Sequence, residues 1–416
     1  MTGQSCVLLK YGELTLKGRN RGRFEKHLLR NVERTVSRPD GERVRIQRRQ
    51  GVLVLRSALP ERELLDRARD VIGISVVQPA VPVPRTPDDV AAAAVRLVRE
   101  RGLEGRFAVR ARRRTKDFPL TSEELAAHVG DRVRRELGWP VDLDHPEVEI
   151  LVEVDWREVF VSVERYRGQG GLPVGASGRA LVLLSGGFDS PVAAYRAMRR
   201  GLRCDFVHFT GAPFTGPSST YKAYAHVREL DRFQGGSRLH VIPIGAAQRR
   251  LAGAGAGEAQ TVAHRRLMLR TADALARECG AQALVTGDSL GQVASQTLSN
   301  LATVERSSDL PLLRPLLAWD KDEIIAEARR IGTADIARLP DEDCCSLLTP
   351  PHPATRTTHE RLAAVERRAG VDDLVPELLA KSQLFALGNA DGPNATDGAA
   401  DTGTILTSAA TDTAGG

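Results

Sequence analysis

The 416-residue sequence contains five cysteines, too few and too scattered for a disulfide framework. Cys6, Cys204 and Cys279 stand alone in apolar or amphipathic segments, the usual setting of a buried, inert thiol. Cys344 and Cys345 are adjacent, and with no second thiol pair to complete a ligand set they argue against zinc. No apolar run approaches the roughly 20 residues that span a bilayer. The opening Met1-Thr2-Gly3-Gln4-Ser5-Cys6 lacks the charged-then-apolar plan of a signal peptide, so no membrane contact and a cytoplasmic location are expected. Internal repeats are absent.

What is present fits a soluble globular chain of two or three domains, with 42% hydrophobic and 27% charged residues to build cores and surfaces. The net charge is +6, and the only charged residues after Gln383 are four aspartates, so the preceding body is four charges more basic than the whole. Such a body suits a polyanionic partner, and an arginine-rich composition alone gives the same total.

Along the chain, residues 6–11 read as a strand and Phe24 to Val36 as a helix. Arg43–Arg48 and Val52–Arg56 read as strands around Gln50-Gly51, Glu61–Asp70 as a helix and Ile74–Val83 as an extended stretch. Strands and helices mix without strict alternation, which predicts an α+β unit over residues 1–84. A second small unit, 85–167, holds the helix Val90–Glu100, the basic strand Phe107–Arg114, and the helix Ser122–Leu137 capped by Thr121 or Ser122. The paired strands Glu147–Val154 and Glu158–Arg165 complete it. Residues 168–178 are too glycine-rich for regular structure and read as a linker or a ligand-facing loop. Over 179–386 the texture becomes apolar strand, helix, apolar strand, helix, the pattern of a parallel sheet with helices on both faces. Its candidate strands are Ala180–Leu184, Cys204–Phe209, Leu239–Ile244, Ala283–Thr286 and Leu312–Pro315, and its ligands should bind at their carboxyl ends. Residues 387–416 have few apolar anchors and read as a disordered tail.

Ser185-Gly186-Gly187-Phe188-Asp189-Ser190 follows a buried strand and precedes a helix. Its glycines let successive N–H groups and the helix N-terminus face a phosphate. No Gly-Lys-Ser/Thr closes it, so it is not a Walker A loop. An ordinary tight strand-to-helix turn shares the local pattern. The segment resembles the SGGxDS loop of the ATP pyrophosphatases, which cleave ATP between its α and β phosphates to adenylate a substrate. Gly170-Gly171-Leu172-Pro173-Val174-Gly175, Tyr11 to Gly18 and Thr286 to Thr297 resemble the tRNA 4-thiouridine synthetases. So do Leu313-Arg314-Pro315-Leu316, Asp320 to Ile324 and Asp343-Cys344-Cys345, and these blocks occur in family order over residues 6–356. The resemblance implies an α/β fold: a doubly wound parallel-sheet ATP pyrophosphatase (PP-loop) domain preceded by α+β ferredoxin-like and THUMP domains.

The resemblance also implies a site. ATP would lie against Leu183, Leu184, Ser185, Gly186, Gly187, Phe188, Asp189 and Ser190, with His208, Phe209, Arg266, Gly287, Asp288 and Gln296 completing the pocket. Two roles are open to Asp288, capping the next helix or standing near Mg²⁺. Asp189, Lys321 and Cys344 are the implied catalytic residues. Lys321 sits at a helix start, where a cation is unfavourable unless it has work elsewhere, such as stabilising charge on pyrophosphate. Cys345 is either a resolving thiol or a spectator. Arg110, Arg112, Arg113, Arg114 and Lys116 form a basic run with Arg106 and no acid among them, suited to tRNA phosphates, or to a solvated strand edge. Lys17 and Arg19, with Arg21 and Arg23, form a weaker patch.

The implied cofactors are ATP and Mg²⁺. The helix beginning His264-Arg265-Arg266 is not preceded by the CxxC of some archaeal relatives, so no iron–sulfur cluster is expected. Many members append a rhodanese domain whose cysteine carries sulfur, and no cysteine follows Cys345 here. A cysteine desulfurase or another persulfide donor is therefore the expected partner beside tRNA. The same absence weakens the carry-over of the family's second role, sulfur supply to the thiamine thiazole. A homodimer is the assembly the resemblance implies. Two other readings stay open: a PP-loop ligase acting on a small substrate, and a non-catalytic tRNA-binding protein that has kept the fold.

Overall fold

The computed structural model describes residues 4–13, 21–37, 43–342, 344, 348–387 and the strand at 404–406. The chain divides into two units, Met1–Leu172 and Pro173–Gly416.

The first unit contains two sheets. Strands β1 (Ser5–Lys10), β2 (Arg45–Arg49), β3 (Val52–Ser57), β4 (Val76–Pro79) and, at the unit's far end, Tyr166–Arg167 form an antiparallel sheet. Helices α1 (Arg21–Val36) and α2 (Glu61–Arg69) contribute to its core. Successive side chains of β1 point to opposite faces. Val7 and Leu9 join the helix-covered core while Cys6 and Leu8 join a cluster with Val54 and Phe160, which explains the uninterrupted apolar run. A four-stranded sheet follows, ordered β5 (Val81–Val83), β8 (Val159–Ser162), β7 (Val148–Val154), β6 (Phe107–Arg113). Helices α3 (Pro87–Glu100) and α4 (Ser122–Leu137) contribute to its core. Thr121 is the α4 cap: its side chain accepts from Glu124 N, and Glu124 accepts from Thr121 N at 2.8 Å.

Two segments differ from their reading in the sequence. Ile74–Val83 serves both sheets, because Ala80, bonded to Cys6 O at 2.9 Å, separates β4 from β5. The last strand of the second sheet ends at Ser162, and β9 (Tyr166–Arg167) returns to pair with β4. The glycine-rich stretch is partly bound to this unit as well. Gly168 N and Gly170 N donate to Ser75 O and Ile74 O at 3.0 and 2.7 Å.

The second unit contains a sheet ordered β14 (Leu312–Leu313), β13 (Leu284–Val285), β10 (Arg179–Leu183), β11 (Arg203–Thr210), β12 (Arg238–Pro243), β15 (Gln383–Ala386), β16 (Thr404–Leu406). The first five strands are parallel and the last two antiparallel. The chain winds one way from β10 through β12 and then places β13 on the other side of β10. That reversal is a topological switch point, where the strand ends splay to admit a ligand. Helices α5 (Asp189–Arg199), α6 (Ser218–Gln234) and α10 (Lys321–Arg330) pack together, as do α7 (Gly245–Gly253), α8 (Gln260–Cys279), α9 (Leu298–Glu305), α12 (His359–Ala369) and α13 (Val371–Ala380). A short helix, α11 (Ala334–Arg338), contacts α6 and α10.

Of the stretch 387–416, read in the sequence as a disordered tail, only Leu387 and Thr404–Leu406 belong to the described residues. Thr404–Leu406 pairs with the open backbone edge of β15. No helix among the described residues is long and apolar enough to cross a membrane.

Candidate active site

Strand β10 is central, and the chain leaves it through Leu184 into the loop that precedes α5. Two serines tie this loop down: Ser185 N donates to Ser190 Oγ at 2.8 Å, and Gly187 N donates to Ser185 Oγ at 3.3 Å. The first N–H groups of α5 lie at its end, an arrangement that receives anions. Two glycines are fixed by contact. A Cβ on Gly186 would strike the Asp341 carboxylate and stand 3.0 Å from Lys222 Cδ. A Cβ on Gly287, in the loop after β13, would lie 2.6 Å from Ser190 N and 2.8 Å from the Asp189 carbonyl carbon. The loops after β10 and β13 therefore meet at the switch point.

The structure brings Asp189 and Lys321 together. Lys321 Nζ donates to Asp189 Oδ1 at 2.7 Å, and Gln292 Nε2 donates to Asp189 Oδ2 at 3.2 Å. Lys321 also lies over the Phe188 ring, 5.6 Å from its centroid. At the start of α10 its charge is accompanied by Asp320, Asp322 and Glu323, which supply the negative charge a helix N-terminus favours.

His208 and Phe209 lie beneath the loop. Both are buried on β11, and His208 Nδ1 is 2.9 Å from Leu184 O. Asp288 neither caps a helix nor stands open to a metal. It is buried between Arg265 and Arg314, accepts from Thr286 Oγ1 at 2.8 Å, and has Gln296 Nε2 at 3.5 Å. Burial raises its pKa, but Arg265, Thr286 and Arg314 outweigh burial and hold it below the usual carboxylate range. Its charge thus holds the β13 loop in shape.

Arg266 is not brought to the loop through its guanidinium. That group is buried against Glu366, with Nε to Oε1 at 2.5 Å and Nη2 to Oε2 at 2.9 Å. The pocket-facing arginine is its neighbour Arg265, which turns the opposite way on α8.

Cys344 has a side chain buried in the apolar cluster shared by α7, α8 and α12, and its carbonyl accepts from Gln248 Nε2 at 2.9 Å. Cys345 lies outside the described residues. Gln248 belongs to a buried polar group with Gln260 and His264; burial pushes His264 down to about 4, and its contact with Gln248 pulls weakly the other way. Lys222 and His226 carry no role in the sequence reading, and Gln292, Arg265 and Arg314 appear there only inside motif segments. Lys222 and His226 had one legible signal, their i, i+4 spacing on the helix that follows β11.

In the first unit, most of the basic run is already paired. Arg106 meets Asp142 at 3.1 Å, Arg110 meets Glu149 at 3.4 Å, and Arg113 donates to Leu120 O at 2.9 Å. The Arg114 side chain, only 9% exposed, meets Glu153 at 2.5 Å and donates to Gln50 O at 2.6 Å. Arg112 and Lys116 are exposed and form no ion pair among the described residues. Arg23, Lys26 and Arg30, at successive turns of α1, are likewise exposed and unpaired among the described residues. Lys17 and Arg19 lie outside the described residues.

The fold and the loop define a PP-loop α/β enzyme domain behind a ferredoxin-like and a THUMP domain. The family model described as thiamine biosynthesis protein (ThiI) matches residues 175–371, the THUMP domain model 84–164, and the ThiI ferredoxin-like domain model 6–77. A probable tRNA sulfurtransferase of Nocardia farcinica is 60% identical over 93% of this chain and 95% of its own. One from Thermus thermophilus is 43% identical over 90% and 92%. A 4-thiouridine synthetase crystallised with RNA and bound ATP superposes with a TM-score of 0.84 at 32% identity, over 92% of this chain and all of that one. The chain belongs to the ThiI family of tRNA sulfurtransferases.

Proposed function

We propose that this protein is a tRNA uridine 4-sulfurtransferase that adenylates the uridine at position eight and replaces its C4 oxygen with sulfur. The observation that carries the reading is the Lys321–Asp189 pair at 2.7 Å on the first turn after the glycine loop. A carbonyl oxygen of uridine is a poor leaving group, and transfer of AMP to it makes a good one. The α–β bond of ATP breaks, pyrophosphate leaves from the N-terminus of α5, and sulfur then displaces AMP.

Lys321 is placed to stabilise charge building on the phosphates, and Asp189 orients it. Among the described residues no three His, Cys, Asp or Glu form a metal-holding group. Mg²⁺ is commonly held by one or two carboxylates and the substrate's own phosphates, and Asp189 is the carboxylate that would serve as its protein ligand. When bound, Mg²⁺ supplies charge neutralisation to the phosphates. Cys344 carries sulfur as a persulfide delivered by a cysteine desulfurase or a small carrier, and its thiol must leave the apolar cover to do so. The outer sulfur displaces AMP at C4, and a second thiol, Cys345 or an external thiol reductant, then cleaves the C4–S–S–Cys344 bond, leaving the thiocarbonyl and a disulfide. Arg112, Lys116 and the exposed α1 cations supply tRNA phosphate contacts, which orient the RNA without reading sequence.

The test follows α-labelled ATP with an unmodified tRNA transcript and a second transcript carrying cytidine at position eight. The expected result is one AMP and one pyrophosphate per 4-thiouridine on the first and no thiolation on the second. Equal thiolation of both contradicts the assigned position. Release of ADP in place of AMP contradicts adenylation.

A further inference from the structure

A second lysine–carboxylate pair stands at the glycine loop, beside Gly186. Lys222 on α6 is buried, and its stem runs directly against Gly186. Its Nζ donates to Leu339 O at 2.6 Å and to Asp341 Oδ1 at 3.2 Å. An ammonium has three donors, so one remains for a further acceptor. One turn along α6, His226 Nε2 lies 3.3 Å from Gly186 O. Burial lowers the His226 pKa to about 4, against the pull of the Gly186 contact and with the Lys222 charge adding to burial, so His226 is neutral. Lys222 is thus the charged partner of Asp341 beside Gly186.

We infer that Lys222 is a phosphate-binding residue of the nucleotide site, shared between the Asp341 carboxylate and the β- and γ-phosphate oxygens of ATP. The inference rests on reading Ser185–Ser190 as the ATP loop. Without a cation here, the Asp341 carboxylate beside Gly186 would repel the phosphates. With Lys222 between them, carboxylate and phosphate compete for one ammonium, and cleavage of ATP alters its share.

The competition reaches the cysteine segment. Residues 339–342 are fastened to α6 and the turn before it by the two Lys222 bonds, by Glu342 N to Ser218 Oγ at 3.2 Å, and by Gly216 N to Glu342 Oε2 at 2.6 Å. Cys344, which is buried, follows two residues later. Phosphate that draws the ammonium away removes two of these four bonds, so Lys222 links nucleotide occupancy to the hold on residues 339–342.

The experiment titrates the full chain with ATP and, separately, with AMP, in the presence of Mg²⁺. Lys222→Met should weaken ATP binding roughly 10- to 100-fold, the scale of one charge-assisted hydrogen bond. AMP, which lacks the β- and γ-phosphates, should change less than about three-fold on the same scale. Equal losses for both nucleotides, or none for either, overturn the inference. Asp341→Asn keeps the lysine and removes its competitor, so ATP should bind several-fold tighter. A pair that only braces the fold predicts equal or weaker ATP binding in that variant, and this second titration decides the matter if Lys222→Met does not fold. Neither titration involves tRNA or sulfur. Wild-type protein that binds ATP but forms no 4-thiouridine contradicts the proposed function alone, and wild-type protein that binds no ATP contradicts both.

Discussion

Lys321, Arg114 and Arg112 are all basic residues of motif segments, yet their replacement should have three different consequences. Lys321 is partly exposed with a side-chain exposure of 43%, so its pair with Asp189 contributes little to stability. Lys321→Ala should lower single-turnover AMP formation on the order of 100- to 1000-fold with the melting temperature nearly unchanged. Arg114 is enclosed with Glu153, where Lys10 and Arg114 outweigh the burial that raises the carboxyl pKa. Arg114→Ala strands part of that charge and should cost about 3 kcal/mol in urea denaturation. Arg112→Ala with Lys116→Ala should leave stability alone and weaken tRNA binding for every sequence. The slope of log K against log salt should fall by about one for each phosphate no longer neutralised. A filter-binding salt series checks this. The sequence showed a run of cations without acids; it did not show that Glu149 and Glu153, some 39 residues on, stand beside it across β7. Charge density along a chain is not charge density in space.

Two buried histidines, one on each of two helices, contribute to the pH behaviour of the second unit. His226 on α6 and His264 on α8 both have folded pKa values near 4, against 6.5 when exposed. The unfolded chain takes up protons between those values that the folded chain refuses. Stability from these groups is therefore complete above pH 6.5 and lost as pH falls towards 4, by about 3 kcal/mol each. Urea denaturation across this range should show the fall, and His264→Gln should remove part of it. An unchanged slope contradicts the assignment.

At the same scale, the loop and its flanking elements were legible because β10 is a short apolar run and the glycines punctuate it. Helices α7, α12 and α13 were not, since their apolar stripes are short and α13 even contains Pro376. The division of Ile74–Val83 between two sheets is set by pairing partners, and periodicity along the segment carries no sign of it.

For the whole molecule, the proposed function is divided along the chain: the cations assigned to tRNA phosphates, Arg112 and Lys116, belong to the first unit, while Lys321, Cys344 and the loop assigned to ATP belong to the second. Asp189, Lys321 and the loop could be read in advance because each stands inside a local motif. Lys222 and Asp341 could not, being 119 residues apart and joined only by the fold. The sulfur step gives a prediction at this scale. Cys344→Ser should lose turnover when a cysteine desulfurase supplies persulfide and retain it with free sulfide, and full activity with both donors contradicts the relay role.

The most direct measurement incubates the purified full chain with ATP, Mg²⁺, sulfide and unmodified tRNA, then separates the digested nucleosides. A tRNA uridine 4-sulfurtransferase yields 4-thiouridine that depends on ATP, and that is the expected result. Its absence from protein that still binds ATP and tRNA would contradict the central claim.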